Sequence, residues 1–312
     1  MAEVSAVIVS MNRPELLYPC LDGLFANKCS LDVFVVAYMY SAANLAALRK
    51  DYPAVKIVES TELRGFAENN NLALRLVESP FVFVVNDDTL QHMPVVDMLL
   101  KDLKGLPEDV AAVSPKIVFA DGSVQTCGRA PWTAWRWMKH YLHISEELQP
   151  GPWTMQEGLF QTYTLNGACF LARTAAFKQA GWFDETYTFT PEDIALGHRF
   201  NEMGLRVFAD AGVEIVHLAN STASAMEAAI KPTRIRGSLI FFARGSKLRY
   251  FLLGLYACAI ESARWLKYTL LGCRSERDRI MKATARNVLR SVFSGKSTKE
   301  IFVQYYNELK GV

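Results

Sequence analysis

Short apolar runs rich in Val, Ile and Phe recur at residues 4–10 (VSAVIVS), 32–37 (DVFVVA), 55–59 (VKIVE) and 81–86 (FVFVVN), and helical patterns fill the gaps at 14–25, 43–50 and 67–77. Runs this short and this apolar read as strands buried on both faces. Pro14 suits the first turn of a helix, where an absent N–H costs nothing. When strand and helix alternate in this way, each helix returns the chain to the same end of the sheet, so the strands come to lie in parallel. The pattern predicts an α/β fold with a mainly parallel sheet and helices on both faces.

The 312 residues, 51% of them hydrophobic, are enough for one such domain plus a helical appendage. The division predicted is an α/β domain over 1–227 and a basic helical region over 228–312. Residues 231–312 carry 17 Lys and Arg against 5 Asp and Glu, so this region is +12 and the rest of the chain −10. A basic, apolar-rich segment can lie on an anionic membrane, or it can be an ordinary helical subdomain with a solvated basic face. The longest apolar run, 251–260, is far short of a bilayer span, so no transmembrane helix is expected. The start of the chain lacks the basic and apolar segments of a cleavable signal. The six cysteines (Cys20, Cys29, Cys127, Cys169, Cys258, Cys273) show neither zinc-type nor disulfide-framework spacing. Together these features predict a cytoplasmic chain, peripheral at the inner face of the membrane if the basic region touches lipid. Residues 115–161, rich in Trp, Gly and Pro, read as loops and short strands.

In a parallel sheet, ligands bind beyond the carboxyl ends of the strands, and the residues just past each apolar run are polar here. Asn12 and Arg13 follow the first run, Arg64-Gly65 and Asn69-Asn70-Asn71 the third, and Asn86-Asp87-Asp88 closes the fourth. Asp87 and Asp88 are hard oxygen ligands able to hold Mg²⁺ or Mn²⁺ against a diphosphate, with Asp88 the first choice; strand-end Asn and Asp also make ordinary turns. Thr190-Pro191-Glu192-Asp193 opens a helix, where a carboxylate can serve as a cap. Asp193 can instead act as the general base that deprotonates a hydroxyl. His217 ends an apolar strand, ahead of Leu218-Ala219-Asn220-Ser221, and can present its imidazole to the same cation or to a diphosphate. Trp132, Trp135 and Trp137 read equally as a stacking platform or as core residues and stay outside the predicted site.

Taken in order, V-I-V-S-M-N-R, R-G-F-A-E-N-N-N, N-D-D-T-L, G-A-C-F-L-A-R, G-W-F-D-E, P-E-D-I-A-L-G-H-R-F and V-E-I-V-H resemble the family 2 glycosyltransferases of the GT-A fold. The resemblance covers residues 4–225 and is greatest to the rhamnosyltransferase-like branch that builds bacterial surface polysaccharides. It implies an inverting, metal-dependent transfer of a sugar such as rhamnose from a nucleotide-diphosphate donor, dTDP- or UDP-linked, to a glycan or polyprenyl-linked acceptor. Asn12, Arg13, Gly65, Asn70 and Asp87 would bind the donor, Asp88 and His217 the metal. Asp193 would be the base, with Trp182 and Glu192 near the acceptor.

The chain departs from the family pattern at three positions. Ala37 stands where an acid usually follows the second strand, Asn86 replaces the first acid of the metal motif, and Ala195 replaces the second Asp of E-D-x-D, although Arg199 is kept. Tyr38 or Tyr40 would then hold the base by stacking. A chain that binds a nucleotide sugar without turning it over is the alternative these losses leave open. A dinucleotide-binding oxidoreductase is excluded, because Met11-Asn12-Arg13-Pro14 follows the first run where G-x-G-x-x-G would be needed. Nucleic acid is not an expected partner, since the basic excess lies in an apolar helical segment.

Overall fold

The computed structural model describes residues 2–144, 149–219 and 226–311. Asn220 and Ser221 of the segment after His217 lie outside the described residues. The chain forms two compact units, one of Met1–Glu62, Glu68–Asp184 and Asp193–Ala219, the other of Leu63–Ala67, Glu185–Glu192 and Asn220–Val312.

Up to His217 the elements are β1 (Val4–Ser10), α1 (Pro14–Phe25), β2 (Leu31–Tyr38), α2 (Ala42–Asp51), β3 (Lys56–Ser60), α3 (Phe66–Leu74), β4 (Phe81–Asn86), β5 (Thr89–Leu90), α4 (Val95–Gly105), β6 (Val110–Val118), β7 (Val124–Thr126), α5 (Ala134–Tyr141), β8 (Leu159–Thr162), β9 (Cys169–Arg173), α6 (Thr174–Gln179), α7 (Glu192–Glu202) and β10 (Arg206–His217). They build one sheet in the order β3-β2-β1-β4-β9-β6-β10-β5, with β7 on β6 and β8 on β10. β3, β2, β1 and β4 are parallel, and so are β6 and β10. β9 runs antiparallel to both β4 and β6, so it is the reversed strand between two parallel sets.

Side chains on a strand alternate between faces, and both faces of this sheet are covered. Val4, Ala6 and Ile8 of β1 and Phe81, Phe83 and Val85 of β4 share one core with Leu17, Leu21 and Leu24 of α1 and Val96, Leu99 and Leu103 of α4. On the opposite face Phe170 of β9 meets Phe177 of α6 and Phe183, and Phe177 meets Phe200 of α7. Each of these large buried side chains contributes about 1.5–3 kcal/mol.

Two elements differ from the expected pattern. The helix over 67–77 ends at Leu74, because Pro80 follows and the chain must turn before entering β4; Val77 N–H already bonds Leu74 C=O in that turn. The stretch 115–161 holds more regular structure than its Trp-Gly-Pro content suggests, since β6 runs on to Val118 and α5 is capped by the Thr133 hydroxyl, which accepts from Arg136 N–H.

Helix α7 is seated by a glycine. A Cβ on Gly197 would lie 2.1 Å from Thr164 Oγ1, so only glycine lets the helix approach the Thr164 segment, whose hydroxyl bonds the Asp193 carbonyl at 3.4 Å. Gly197→Ala is expected to cost about 1–3 kcal/mol by overpacking. Thermal unfolding would read this, and an unchanged midpoint would show that the contact relaxes without strain.

The second unit is built around α8 (Glu227–Ala243), α9 (Lys247–Leu270), α10 (Glu276–Ser291) and α11 (Thr298–Lys310). Ser275 with Asp278 and Ser297 with Glu300 form capping boxes at the starts of α10 and α11, each satisfying otherwise orphaned backbone N–H groups. Ala229 and Ile230 of α8 pack on Ile301, Phe302 and Tyr305 of α11. No helix among the described residues is long and apolar enough to cross a membrane.

Candidate active site

Strand register lines up the polar residues at one edge of the sheet. Ser10 pairs with Ala37, Ala37 with Glu59, and Val9 with Asn86, so the ends of β1, β2, β3 and β4 form a row. Just beyond β1, Asn12 adopts φ 53°, a left-handed conformation that Asn tolerates. Its side-chain oxygen accepts from Ser41 N–H and from the Asn44 amide, both at 3.0 Å, which ties the loop after β1 to the start of α2. Tyr38 is buried, whereas Tyr40 is half-buried and its hydroxyl bonds Ser10 Oγ at 2.9 Å.

β10 brings His217 to the turn after β4. His217 pairs with Thr89 of β5 in antiparallel register, and Leu218 N–H donates to Asp88 C=O at 2.9 Å. As a result His217 Nε2 lies 3.1 Å from Asp88 Oδ1 and 3.4 Å from the Asn86 amide. The other ring nitrogen, Nδ1, is 2.8 Å from Gln125 Oε1, a partner that holds the ring orientation. Gln125, on β7, carried no sequence signal because it is far from every motif.

Asp87 beside this pair is half-buried. Its Oδ2 accepts no hydrogen bond from the described residues, and burial pushes its carboxyl up to about 7. Ser10 offsets part of that rise, the nearby Asp88 charge adds to it, and Arg13 opposes it. Among the described residues the edge therefore includes a buried carboxylate oxygen with no hydrogen-bond partner. Asp88, His217 and the spare oxygen of Asp87 are O and N donors of the kind that suits Mg²⁺ or Mn²⁺. Among the described residues no three His, Cys, Asp or Glu side chains converge. A cation here would take its remaining ligands from a diphosphate or from water, as Mg²⁺ commonly does.

Asp193 is held to the same edge through the segment before β9. Gly167 N–H donates to Asp193 Oδ2 at 3.0 Å, and the next residue, Ala168, accepts through its C=O from Asn86 N–H at 2.9 Å. Arg129 Nη1 also donates to Asp193 Oδ2, at 2.9 Å, and to Leu165 C=O at 3.1 Å. Asp193 Oδ1 accepts only from Ile194 N–H among the described residues, at 2.7 Å. A carboxylate oxygen has two lone pairs, so Oδ1 keeps one for a proton. Asp193 is 8% exposed and Glu192 6%. Arg129 was missed in the sequence because 64 residues separate it from its partner.

Arg129, Thr164 and Ile194, which hydrogen-bond Asp193, line a cavity of about 280 Å³ together with Trp132, Arg136 and Trp153, among others. The three tryptophans left open by the sequence thus have different fates. Trp137 is buried and stacks on Tyr141, Trp135 is exposed, and Trp132 lines the cavity.

The remaining predicted residues are placed by packing. Asn70 is buried in α3; its neighbour Asn71 donates to Phe183 C=O at 2.9 Å and accepts from Phe183 N–H at 3.2 Å, which fixes the G-W-F-D turn. Trp182 in that turn has φ 63° and packs edge-on against Phe177 with centroids 5.3 Å apart. Gly65 belongs to the second unit, where a Cβ would lie 2.0 Å from Thr188 C=O. That close approach is itself a reason for glycine there.

Residues 2–236 match the family described as glycosyltransferase like family 2. The chain is similar to the O-antigen biosynthesis protein RfbC of Myxococcus xanthus, 26% identical over 69% of this chain and 17% of that protein. It is also similar to an N-acetylglucosaminyl-diphospho-decaprenol L-rhamnosyltransferase of Mycobacterium tuberculosis, 33% identical over 46% of this chain and 48% of that protein. The matched region thus spans less than half the length of either relative. Among solved structures, a mannosyltransferase of Pyrobaculum calidifontis in complex with GDP-Man and Mn²⁺ superimposes with a TM-score of 0.55 at 14% identity, covering 99% of this chain and 87% of that one. GalNAc-T7 with UDP, GalNAc and Mn²⁺ gives 0.55 at 13% identity, covering 99% of this chain and 58% of that one. Both neighbours are GT-A glycosyltransferases. With its mostly parallel mixed sheet and a match over three quarters of its length, this chain has the GT-A fold and belongs to glycosyltransferase family 2, on the side of its rhamnosyltransferase-like branch.

Proposed function

We propose that this chain is an inverting glycosyltransferase of surface-glycan synthesis, moving a sugar such as rhamnose from a dTDP- or UDP-linked donor to a glycan or polyprenyl-linked acceptor. The observation that carries the proposal is Asp193, a carboxylate fixed by Arg129, Gly167 and Ile194, two of which, Arg129 and Ile194, line a cavity of about 280 Å³. Oδ1 takes the proton from the acceptor hydroxyl as that oxygen attacks the anomeric carbon, and the bond to the nucleotide diphosphate breaks on the opposite face. Arg129 and the Gly167 N–H hold the carboxylate in place, so attack needs no reorientation of the base. Trp132 and Trp153, which line the cavity, offer flat apolar faces to the acceptor ring.

The donor lies along the row from Asn12 and Arg13 to Asp87, with Arg13 facing its phosphates. Asp88 and His217 would hold Mg²⁺ or Mn²⁺, which when bound neutralises charge building on the departing diphosphate. Tyr40, half-buried next to Ser10, is the better placed of the two tyrosines to meet the base. The catalytic domain is residues 1–227, with 228–312 as an attached helical region.

Thermal unfolding with UDP, dTDP, GDP and CDP, each with Mn²⁺ and with chelator, tests the donor class. A ligand that binds only the folded chain raises its midpoint. The expected result is a Mn²⁺-dependent rise with dTDP or UDP. No rise with any of the four would instead favour a chain of this fold that has lost donor binding.

A further inference from the structure

Helix α9 presents two opposed stripes. Gly254, Ala257 and Glu261 face inward, spaced three and four residues apart, and a Cβ on Gly254 would meet the Phe293 ring at 2.7 Å. On the opposite side Leu248, Phe251, Leu252, Leu255, Leu266 and Leu270 are exposed, Leu248 at 67% and Leu270 at 80%. Ala259 and Ala263, also exposed, fill the middle of this stripe. At 1.5 Å per residue the helix is about 36 Å long, so the apolar face runs its full length. A continuous exposed face of this kind marks an interaction surface.

The charges decide what covers it. The helix has four cations, Lys247, Arg249, Arg264 and Lys267, and one acid, Glu261. Glu261 is fully buried and lies 3.2 Å from Lys231 and 2.6 Å from Arg264, so it contributes no negative charge to the exposed face. Arg249 and Lys267 are 18 residues apart, about five turns, and therefore flank the same edge of the apolar stripe at its two ends. Arg244 precedes the helix, and Arg274 follows it. Two copies meeting through this face would bring like charges together, whereas an anionic lipid surface is complementary in both its apolar and charged parts. The helix is not apolar enough to cross a membrane, so its geometry is that of one lying in the interface plane.

We infer that the outward face of α9 is a membrane-docking surface that seats in an anionic bilayer through Leu248, Phe251, Leu252, Leu255, Leu266 and Leu270, with Arg249 and Lys267 at the headgroups. The inference does not depend on the transfer reaction, because lipid binding can be read without a sugar donor.

The test is co-sedimentation of the full chain with vesicles of phosphatidylcholine alone and of phosphatidylcholine mixed with phosphatidylglycerol. Binding is expected to need phosphatidylglycerol and to weaken as salt is raised. Leu252→Asp with Leu255→Asp should lower the partition coefficient at least about tenfold, from lost apolar burial alone. Arg249→Glu with Lys267→Glu should lower binding to the anionic vesicles as well. All four positions sit on the outer or flanking faces of α9, so unfolding midpoints should match the parent. Failure of the parent chain to pellet with anionic vesicles would overturn the inference, as would undiminished pelleting of the Leu252→Asp, Leu255→Asp chain. A concentration-dependent dimer that this double substitution dissolves would also overturn it, by assigning the face to a second copy.

Discussion

Asp193→Asn should lower the transfer rate by about 10²–10⁴-fold or more, while the midpoint shift produced by donor nucleotide and Mn²⁺ stays as in the parent chain. The amide cannot take a proton from the acceptor hydroxyl, yet its oxygen can still accept from Gly167 N–H. It does lose the ion pair with Arg129, whose Nη1 would then face a neutral partner. Both side chains are partly exposed, at 26% and 12%, so the lost charged hydrogen bond should cost about 1–3 kcal/mol of stability. Rate and stability must therefore be read together. Retained transfer by a folded Asp193→Asn chain would remove the base from this scheme, whereas loss of nucleotide binding along with activity would show that Asp193 organises the donor site.

The second large effect is expected at Asp88. Asp88→Ala removes a carboxylate that meets His217 Nε2 at 3.1 Å and stands next to the half-buried Asp87. Loss of an outer partner of a metal ligand commonly costs 10–100-fold in metal affinity, and loss of a direct ligand should cost at least as much. The nucleotide titration in Mn²⁺ should weaken by about that factor, while any residual binding in chelator is unchanged. Equal weakening in Mn²⁺ and in chelator would assign Asp88 to the nucleotide and leave the metal without its first ligand. The replacement also relieves part of the negative crowding around Asp87, so the folded chain without ligand should not lose stability in proportion.

Much of this chain was legible before any coordinates. The runs ending at Ser10 and Asn86 form β1 and β4, and the helix opened by Pro14 spans Pro14–Phe25. These elements are short, strongly patterned and bounded by turn-forming residues, so local chemistry is enough to place them. The polar residues beyond the strand ends were legible for a related reason. Buried parallel strands leave few other places for Asn-Asp-Asp or a terminal His, and the ordered set of motifs pointed to a family that the match over residues 2–236 then showed.

Other residues were opaque because their roles depend on distant partners. Arg129 meets Asp193 across 64 residues, and Gln125 orients His217 across 92. Gly197 is required only because Thr164 comes within a bond length or two of where its Cβ would be. The stretch 115–161 showed no period, since its order comes from pairing with β10 and β6 and not from its own pattern.

By itself, then, the sequence determined the α/β alternation, the polar edge of the sheet, the family and the basic character of the last 82 residues, because each is set by composition or by spacing within a few residues. Only the tertiary structure decided that Trp132 lines a cavity while Trp137 is core, that Asp193 is held by Arg129 and Gly167, and that the single acid of α9 is turned inward. The physical reason is that burial and partnership belong to pairs of residues far apart in the chain, and a side chain's chemistry is settled only when its neighbours in space are known.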